Sequence, residues 1–250
     1  MTKISALVIT KNAEKYLAKC LGSLKPLVRE IIVVDSGSSD QTLSIARKIG
    51  ARVIKQKWLG YAKQKNFALL KAQNDWVLSI DADEIVDSEL ASAITKANFV
   101  KYSGFYLKRK NFFGNHWVKY CGWYPDWQLR LFQKSKMMFE EKEVHEMVKP
   151  RGKIGYLSGN ILHYSYQNNE EYFKKLDVYT TLDAKLLYSK KRPWSLLYQI
   201  GKPIKEFCLF YFINKGFLDG WVGLKLSSFS AYYRYEVARK LRGIYHAHRS

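Results

Sequence analysis

The chain has 250 residues, a length that suits one large domain, or one domain with an extension, around a substantial core. It carries 42 Lys and Arg against 22 Asp and Glu, and this net charge of +20 favours nucleic acid, anionic lipid or phosphorylated substrates as partners. Three widely spaced cysteines (Cys20, Cys121, Cys208) with no CxxC pair argue against a disulfide framework or a zinc site.

The first hundred residues alternate between strand and helix patterns. This alternation predicts parallel βαβ units in a doubly wound sheet. The predicted strands are Ile4–Ile9, Glu30–Val34, Val53–Ile54 and Trp76–Ile80. The predicted helices are Ala13–Leu24, Ser38–Ile49 with Ser38 or Ser39 as its N-cap, and Ala62–Ala72.

The pattern changes after about residue 100. Strands are predicted at Tyr102–Arg109 and Trp127–Phe132, followed by a helix over Glu170–Tyr188. Beyond Pro193 two further helices are predicted around Trp194–Phe212 and Leu218–Leu241. We therefore expect a catalytic α/β domain over residues 1–165 and a helical region over residues 166–250.

Short polar side chains follow three of the predicted parallel strands. They are Thr10 and Asn12, Asp35, and the pair Asp81 and Asp83. The carboxyl ends of such strands line the ligand crevice of an open α/β sheet. Paired carboxylates there suit a divalent cation that carries substrate phosphates. Alternatively, Asp35 belongs to an ordinary N-cap sequence, and Asp81 and Asp83 are solvated acids before a helix near residue 87.

Two common nucleotide-binding motifs are absent from the sequence. There is no GxGxxG after the first strand and no GxxxxGK[ST] segment. A nucleotide would therefore be held by side chains and a metal ion.

Four segments, in order, resemble the inverting nucleotide-sugar glycosyltransferases of family 2, which have the GT-A fold. They are Val8–Asn12, Ile32–Thr42, Gly60–Asn66 and Asp81–Glu84, the last resembling the family's DxD motif. Within the family, Trp58–Ala68 and Tyr124–Phe132 are most similar to bacterial lipopolysaccharide core β-1,4-glucosyltransferases. The resemblance implies a mostly parallel sheet flanked by helices, here with a helical, basic and aromatic C-terminal extension.

The resemblance also implies roles on the donor side. The side chains expected to bind the nucleotide sugar are Thr10, Asn12, Asp35, Lys65 and Asp81. Asp83 would ligate Mg²⁺ or Mn²⁺, and Arg130 suits a bidentate pair with a phosphate. His163 is a candidate third ligand, although a lone histidine on an apolar strand is more often structural.

An inverting transfer needs a general base on the acceptor side. Asp126 is the first candidate, with Trp123 and Trp127 placed to stack on sugar rings and to give it apolar surroundings. The pair His145 and Glu146 is also expected to face the acceptor. Alternatively, Asp126 is only a turn residue after Pro125, and the base is one of the acids Glu140, Glu141, Glu143 and Glu146.

The C-terminal region combines many bases with Trp, Tyr and Phe. Such a composition suits a helix lying on an anionic membrane surface. It also suits nucleic acid, or a packed helical subdomain with a solvated basic face. A lipid-linked acceptor would explain the enzyme and its tail together, so we expect a membrane partner and no nucleic acid.

The sequence thus predicts a metal-dependent transferase that moves a hexose, glucose from UDP-glucose, onto a glycolipid such as the lipopolysaccharide inner core. We find no signal peptide or spanning segment, so we expect a cytoplasmic protein, peripheral on the inner membrane. One rival is a polyprenyl-phosphate sugar transferase, whose attacking phosphate needs no general base. Another is a nucleic-acid-binding module without catalysis.

Overall fold

The structure, a computed structural model, describes residues 2–140, 147–166 and 168–247. The strands formed within these residues are, from β1 to β9, Ile4–Thr10, Glu30–Asp35, Arg52–Lys55, Trp76–Ser79, Glu84–Val86, Gly104–Phe113, His116–Trp117, Asp126–Gln133 and Ile154–Tyr166. The helices formed within them are, from α1 to α7, Glu14–Leu24, Thr42–Ile49, Tyr61–Lys71, Ser88–Thr95, Asn169–Ser189, Leu196–Cys208 and Gly220–Ala247. A π-helix (Leu209–Ile213) and a 3-10 helix (Gly216–Asp219) separate α6 from α7.

The strands form one mixed sheet in the order β3-β2-β1-β4-β8-β6-β9-β5, with β7 paired to β6. Strands β1 to β4 are parallel, which confirms the predicted βαβ alternation. Strand β8 then pairs antiparallel with both β4 and β6. The short β5 pairs antiparallel with β9 and brings Glu84 opposite His163. Strands β5, β7 and β9 were not predicted.

Alternation along the central strands builds two apolar layers, because successive side chains point to opposite faces of a sheet. On β2, Ile31 and Val33 join the layer packed under α1 and α4, whereas Ile32 and Val34 join the layer under α3. A strand covered on both faces has no polar face, which is why this segment is a continuous apolar run. Strand β2 ends where the apolar run stops, at Asp35.

The predicted start of α2 at Ser38 is wrong. The helix begins at Thr42, and the side chain of its N-cap residue, Gln41, makes no capping hydrogen bond. The hydroxyl of Ser38 instead donates to Asp35, and its backbone N–H also donates to that carboxylate. The serine is thus part of the loop after β2. By contrast, the side chain of Asp87 caps α4 by accepting from the N–H of Leu90.

The chain divides into two units. The first contains residues 1–110 and 126–163, and the second contains residues 111–125 and 164–250. The second unit has its own apolar cluster, in which Phe113, Val118 and Cys121 pack with Leu226 of α7. None of the helices in the described part of the chain combines the length and apolar composition that crossing a membrane requires.

Candidate active site

Asp35 lies at the end of β2 and is almost completely buried. Its carboxylate accepts hydrogen bonds from the N–H groups of Gly37 (2.9 Å) and Ser38 (3.0 Å) and from the hydroxyl of Thr10 (3.2 Å). Burial by itself would raise the pKa of Asp35, but these bonds and the Ser38 hydroxyl outweigh it and lower the pKa. The result is a fixed, ionised acceptor at the carboxyl edge of the sheet.

Asn12 closes the same loop from the end of β1. Its backbone is in the left-handed region, with φ of 50°, which Asn tolerates better than most residues. Its N–H donates to the Ser38 hydroxyl (2.8 Å), and its side-chain oxygen accepts from the N–H of Ser39 (2.9 Å). Sequence reasoning placed Thr10, Asn12 and Asp35 on one rim, and the structure brings them together.

Helix α3 connects this loop with the Asp81–Asp83 motif. The amide of Gln64 donates to the hydroxyl of Ser36 (3.0 Å). The next residue, Lys65, points its ammonium at Asp81, with 2.9 Å between Nζ and Oδ1. Gln64 and Lys65 are both buried, and a buried lysine is unusual without a partner of opposite charge.

Asp81 is held between two cations. Besides Lys65, the guanidinium of Arg130 on β8 contacts its other carboxylate oxygen at 2.7 Å. Burial would raise the pKa of Asp81, but the charges of Arg130 and Lys65 prevail and hold the pKa well below its usual range. The motif therefore carries a permanent negative charge flanked by two buried positive charges.

Glu84 extends these contacts into an ion-pair network with Lys65, Asp81, Arg130, Arg109 and Asp126. It is fully buried, and its Oε1 accepts from Arg130 (3.2 Å) and Arg109 (3.3 Å). Its Oε2 accepts from the N–H of Asp81 (2.9 Å), which fixes the turn of the motif. Glu84 thus connects the motif that would bind the donor with the residue predicted to be the base.

Asp126 opens β8 directly opposite Arg109 of β6. Its Oδ2 lies 2.8 Å from Nε and 2.6 Å from Nη2 of Arg109, and its Oδ1 accepts from Gln128 at 2.6 Å. The expectation that aromatic rings provide apolar surroundings for this carboxylate is wrong, because polar partners hold both of its oxygens. These contacts fix its orientation, as a group that receives a proton from a positioned hydroxyl requires.

Asp83 and His163 are the predicted metal ligands, and the structure places them side by side. Nε2 of His163 lies 3.7 Å from Oδ2 of Asp83, whose side chain is about one-third exposed. Among the described residues, no group of three or more His, Cys, Asp or Glu side chains is arranged to hold a metal ion. Two protein ligands nevertheless fit Mg²⁺ or Mn²⁺, which commonly complete their coordination with substrate phosphates and water.

The two predicted acceptor-side tryptophans belong to different units of the chain. Trp127 is 36% exposed and contacts the ring of Tyr156 edge-on, at 4.9 Å between centroids. Trp123 belongs to the second unit, where it packs against the apolar cluster around Phe113. His145 and Glu146, and the alternative bases Glu141 and Glu143, lie outside the described residues.

Sequence reasoning assigned no role to Glu84, Arg109 or Gln64. Glu84 counted only as the residue after the motif, and its signal was an acid directly before the apolar pair Ile85 and Val86. Arg109 had a weaker signal, since it is the last residue of the predicted strand Tyr102–Arg109. A charged residue in a strand next to buried positions requires a buried partner of opposite charge.

Comparisons with known proteins point to one family. Residues 5–151 match the sequence model of glycosyl transferase family 2. An uncharacterised glycosyltransferase of Rickettsia typhi is 33% identical over 97% of this chain and 87% of its own length. The lipopolysaccharide core biosynthesis glycosyltransferase LpsC of Rhizobium meliloti is 32% identical, over 95% of this chain and 91% of its own.

The fold is also found among solved structures. Residues 1–349 of Staphylococcus aureus TarS align over 99% of this chain and 91% of that chain, with a TM-score of 0.51 and 19% identity. At that identity the likeness concerns the fold alone, and it confirms the GT-A arrangement predicted from the sequence. From the family match and from relatives that align along nearly its whole length, we conclude that the chain belongs to glycosyl transferase family 2.

Proposed function

We propose that this glycosyltransferase moves a hexose, with inversion, from a UDP-sugar such as UDP-glucose onto a lipid-linked glycan such as the lipopolysaccharide inner core. One observation carries the proposal. Two buried cations, Lys65 and Arg130, converge on the carboxylate of Asp81, 2.9 and 2.7 Å away. Buried cations at the edge of a sheet, next to a motif whose second acid, Asp83, is partly exposed, suit a diphosphate that arrives with a metal ion.

The loop around Asp35 would hold the nucleoside. Its carboxylate is fixed and ionised, as an acceptor for a uracil N–H or a ribose hydroxyl should be. Thr10 and Asn12 shape the same loop. S. aureus TarS, which shares the fold, has also been solved in complex with UDP-GlcNAc. This supports a nucleotide sugar as the class of donor.

The diphosphate would lie between Lys65, Arg130 and the pair Asp83 and His163. Asp83 and His163 would hold Mg²⁺ or Mn²⁺, and such an ion, when bound, neutralises charge that develops on the leaving diphosphate. Asp81 would keep both cations oriented toward the donor and accept from a ribose hydroxyl or a metal-bound water. The cations are fixed before the donor arrives, so little reorganisation is needed on binding.

Asp126 would act as the general base. It would take the proton from the acceptor hydroxyl as that oxygen attacks the anomeric carbon and the bond to the diphosphate breaks. Arg109 and Gln128 would hold the carboxylate in position for this step. Trp127, which is partly exposed beside it, would offer an apolar face to the acceptor sugar.

The acceptor is proposed from similarity and charge. LpsC, named for lipopolysaccharide core biosynthesis, aligns along nearly the whole chain. The net charge of +20 favours a glycolipid that bears phosphates and carboxylates, and an anionic membrane that presents it. We place the enzyme peripherally on the cytoplasmic face of the inner membrane, with no nucleic-acid partner.

Thermal unfolding with UDP-sugars and MnCl₂ or MgCl₂ tests donor binding. A donor at 100 times its dissociation constant stabilises the protein by about 2.7 kcal/mol. This corresponds to a rise of about 5–11 °C in Tm for a chain of this size. Lys65→Met should abolish the shift. Lys63→Met, an exposed lysine on the same helix, should retain it. If no UDP-sugar raises the Tm with either ion, the proposal fails.

A further inference from the structure

The second unit presents an apolar surface along α6 and at the connection to α7. The exposed apolar side chains of α6 include Leu197, Ile200 and Ile204, with exposed fractions of 82%, 52% and 60%. Their spacing of three and four residues places them on one helix face. We call these three residues the α6 strip.

The connection between α6 and α7 continues the apolar exposure. The π-helix and the 3-10 helix contribute Phe212 and Leu218, and the first turn of α7 contributes Trp221, which is 71% exposed. The ring of Tyr211 contacts Phe212 at 5.1 Å and Phe217 at 6.3 Å, so the two short helices are packed together. We call Phe212, Ile213, Phe217, Leu218 and Trp221 the hairpin tip.

The other face of α6 is the packed one. Gln199 is buried there, and Glu206 pairs with Arg234 of α7 at 2.9 Å. The aromatic residues of this unit are also divided. Phe113, Tyr172 and Phe229 fill its interior, whereas the strip and the tip are left outside it. The exposed surface is therefore not the remainder of an incomplete core.

Charge identifies what this surface would contact. The residues from 190 to 218 include six bases, Lys190, Lys191, Arg192, Lys202, Lys205 and Lys215, all exposed. The only acid in this segment is Glu206, which is paired with Arg234. A segment that combines exposed apolar side chains with exposed cations matches the acyl boundary and the headgroups of an anionic bilayer. A second copy of the chain on this surface would bring two sets of the same six cations together, and their repulsion would oppose dimer formation.

We propose that the α6 strip and the hairpin tip insert into the headgroup region of an anionic membrane and dock the enzyme there. This inference rests on the proposed function for its choice of occupant, because a lipid-linked acceptor would bring the enzyme to a membrane. It adds which side chains enter the bilayer. The side chains of one face of α6 and of the connection between α6 and α7 suit shallow insertion into the headgroup region.

Vesicle co-sedimentation of the full chain tests this assignment. Vesicles of phosphatidylglycerol and phosphatidylcholine should bind the protein, and vesicles of phosphatidylcholine alone should bind it more weakly. Leu197→Ser/Ile200→Ser/Ile204→Ser and, separately, Phe212→Ser/Trp221→Ser should each weaken binding by at least about tenfold. The control Leu70→Ser/Val100→Ser replaces two side chains in the first unit that are 81% and 100% exposed, and it should bind normally.

A spectroscopic measurement adds depth information. The fluorescence difference between the wild type and Trp221→Phe isolates one of the seven tryptophans. Brominated lipid should quench that difference on anionic vesicles. Circular dichroism checks folding, and if one multiple variant misfolds, the other decides the result.

Two results would overturn the docking surface. One is normal vesicle binding by a folded strip or tip variant. The other is a wild-type dimer in sedimentation velocity that these substitutions dissociate, since a second copy would then cover the surface. Donor binding is measured separately, by the Tm shift with UDP-sugars. A variant that no longer binds vesicles but still shows the Tm shift with UDP-sugar has lost membrane docking and kept donor binding, so the two proposals can be judged separately.

Discussion

Glu84 offers a direct test of the ion-pair network, because it is fully buried and interacts with two arginines. The six side chains of the network comprise three carboxylates (Asp81, Glu84, Asp126) and three cations (Lys65, Arg109, Arg130). Glu84→Ala leaves an uncompensated positive charge next to the core and removes the acceptor for the N–H of Asp81. Removing one partner of a buried ion pair costs about 3–5 kcal/mol.

The assay is the free energy of unfolding from urea titration, with Tm as a second measure. The expected loss of about 3–5 kcal/mol corresponds to a fall in Tm of about 6–20 °C. Glu84→Gln keeps an acceptor oxygen and should cost about 1.5–3 kcal/mol. Glu89→Ala, an exposed acid in the first turn of α4, should change stability by about 1 kcal/mol at most. If Glu84→Ala is no less stable than Glu89→Ala, the ion-pair network around Glu84 does not stabilise the fold.

Three further predictions concern the base, the donor loop and the packing of the first unit. Asp126→Asn should lower the rate of transfer by about 10²–10⁴-fold without changing the Tm shift caused by UDP-sugar, and unchanged transfer would instead favour a phosphate acceptor that needs no base. Because the pKa of Asp35 is lower in the folded than in the unfolded chain, where it is about 3.9, ionised Asp35 stabilises the fold at pH values above about 4. The difference in the free energy of unfolding between wild type and Asp35→Asn should therefore shrink as the pH falls below about 4. A difference that stays constant with pH in urea titrations would contradict this. Gly159→Ala should cost about 3 kcal/mol or more, because φ is +83° and the added carbon would lie 2.1 Å from the backbone nitrogen of Leu90. Gly22→Ala, with nothing within 4 Å, is the control and should be neutral or slightly stabilising in the same titrations.

The parts of the fold that follow from local pattern could be predicted from the sequence. Residues 31–34 form a central parallel strand because both faces are apolar, and the polar residue that ends the run, Asp35, lies at the crevice edge. The same reasoning placed Thr10 and Asp81 beside it. When neighbouring strands are expected to be parallel, a polar residue directly after each apolar run is enough to locate the carboxyl edge of the sheet.

The parts that depend on distant pairing could not be predicted. Arg109 meets Asp126 because β6 and β8 are antiparallel in one register, and no local pattern specifies which residues face each other across 17 positions. The role of Glu84 depends on Arg109 and Arg130, which lie 25 and 46 residues later in the chain. Ser38 was misassigned for a related reason. Serine suits a helix cap and a loop equally well, and the buried carboxylate of Asp35 decided between them.

Sugar transfer itself shows whether the enzyme acts as proposed. Radiolabelled UDP-glucose and other UDP-hexoses would be incubated with purified enzyme, MnCl₂ and lipopolysaccharide truncated to its inner core, and the label in the lipid fraction counted. We predict transfer from one UDP-hexose, its loss with chelator or with Asp83→Ala, and its retention with Glu89→Ala. Inverted anomeric configuration of the product, determined by NMR, completes the expected result. Absence of transfer from every UDP-hexose would rule out the proposed activity, and transfer unaffected by Asp83→Ala would rule out Asp83 as a metal ligand.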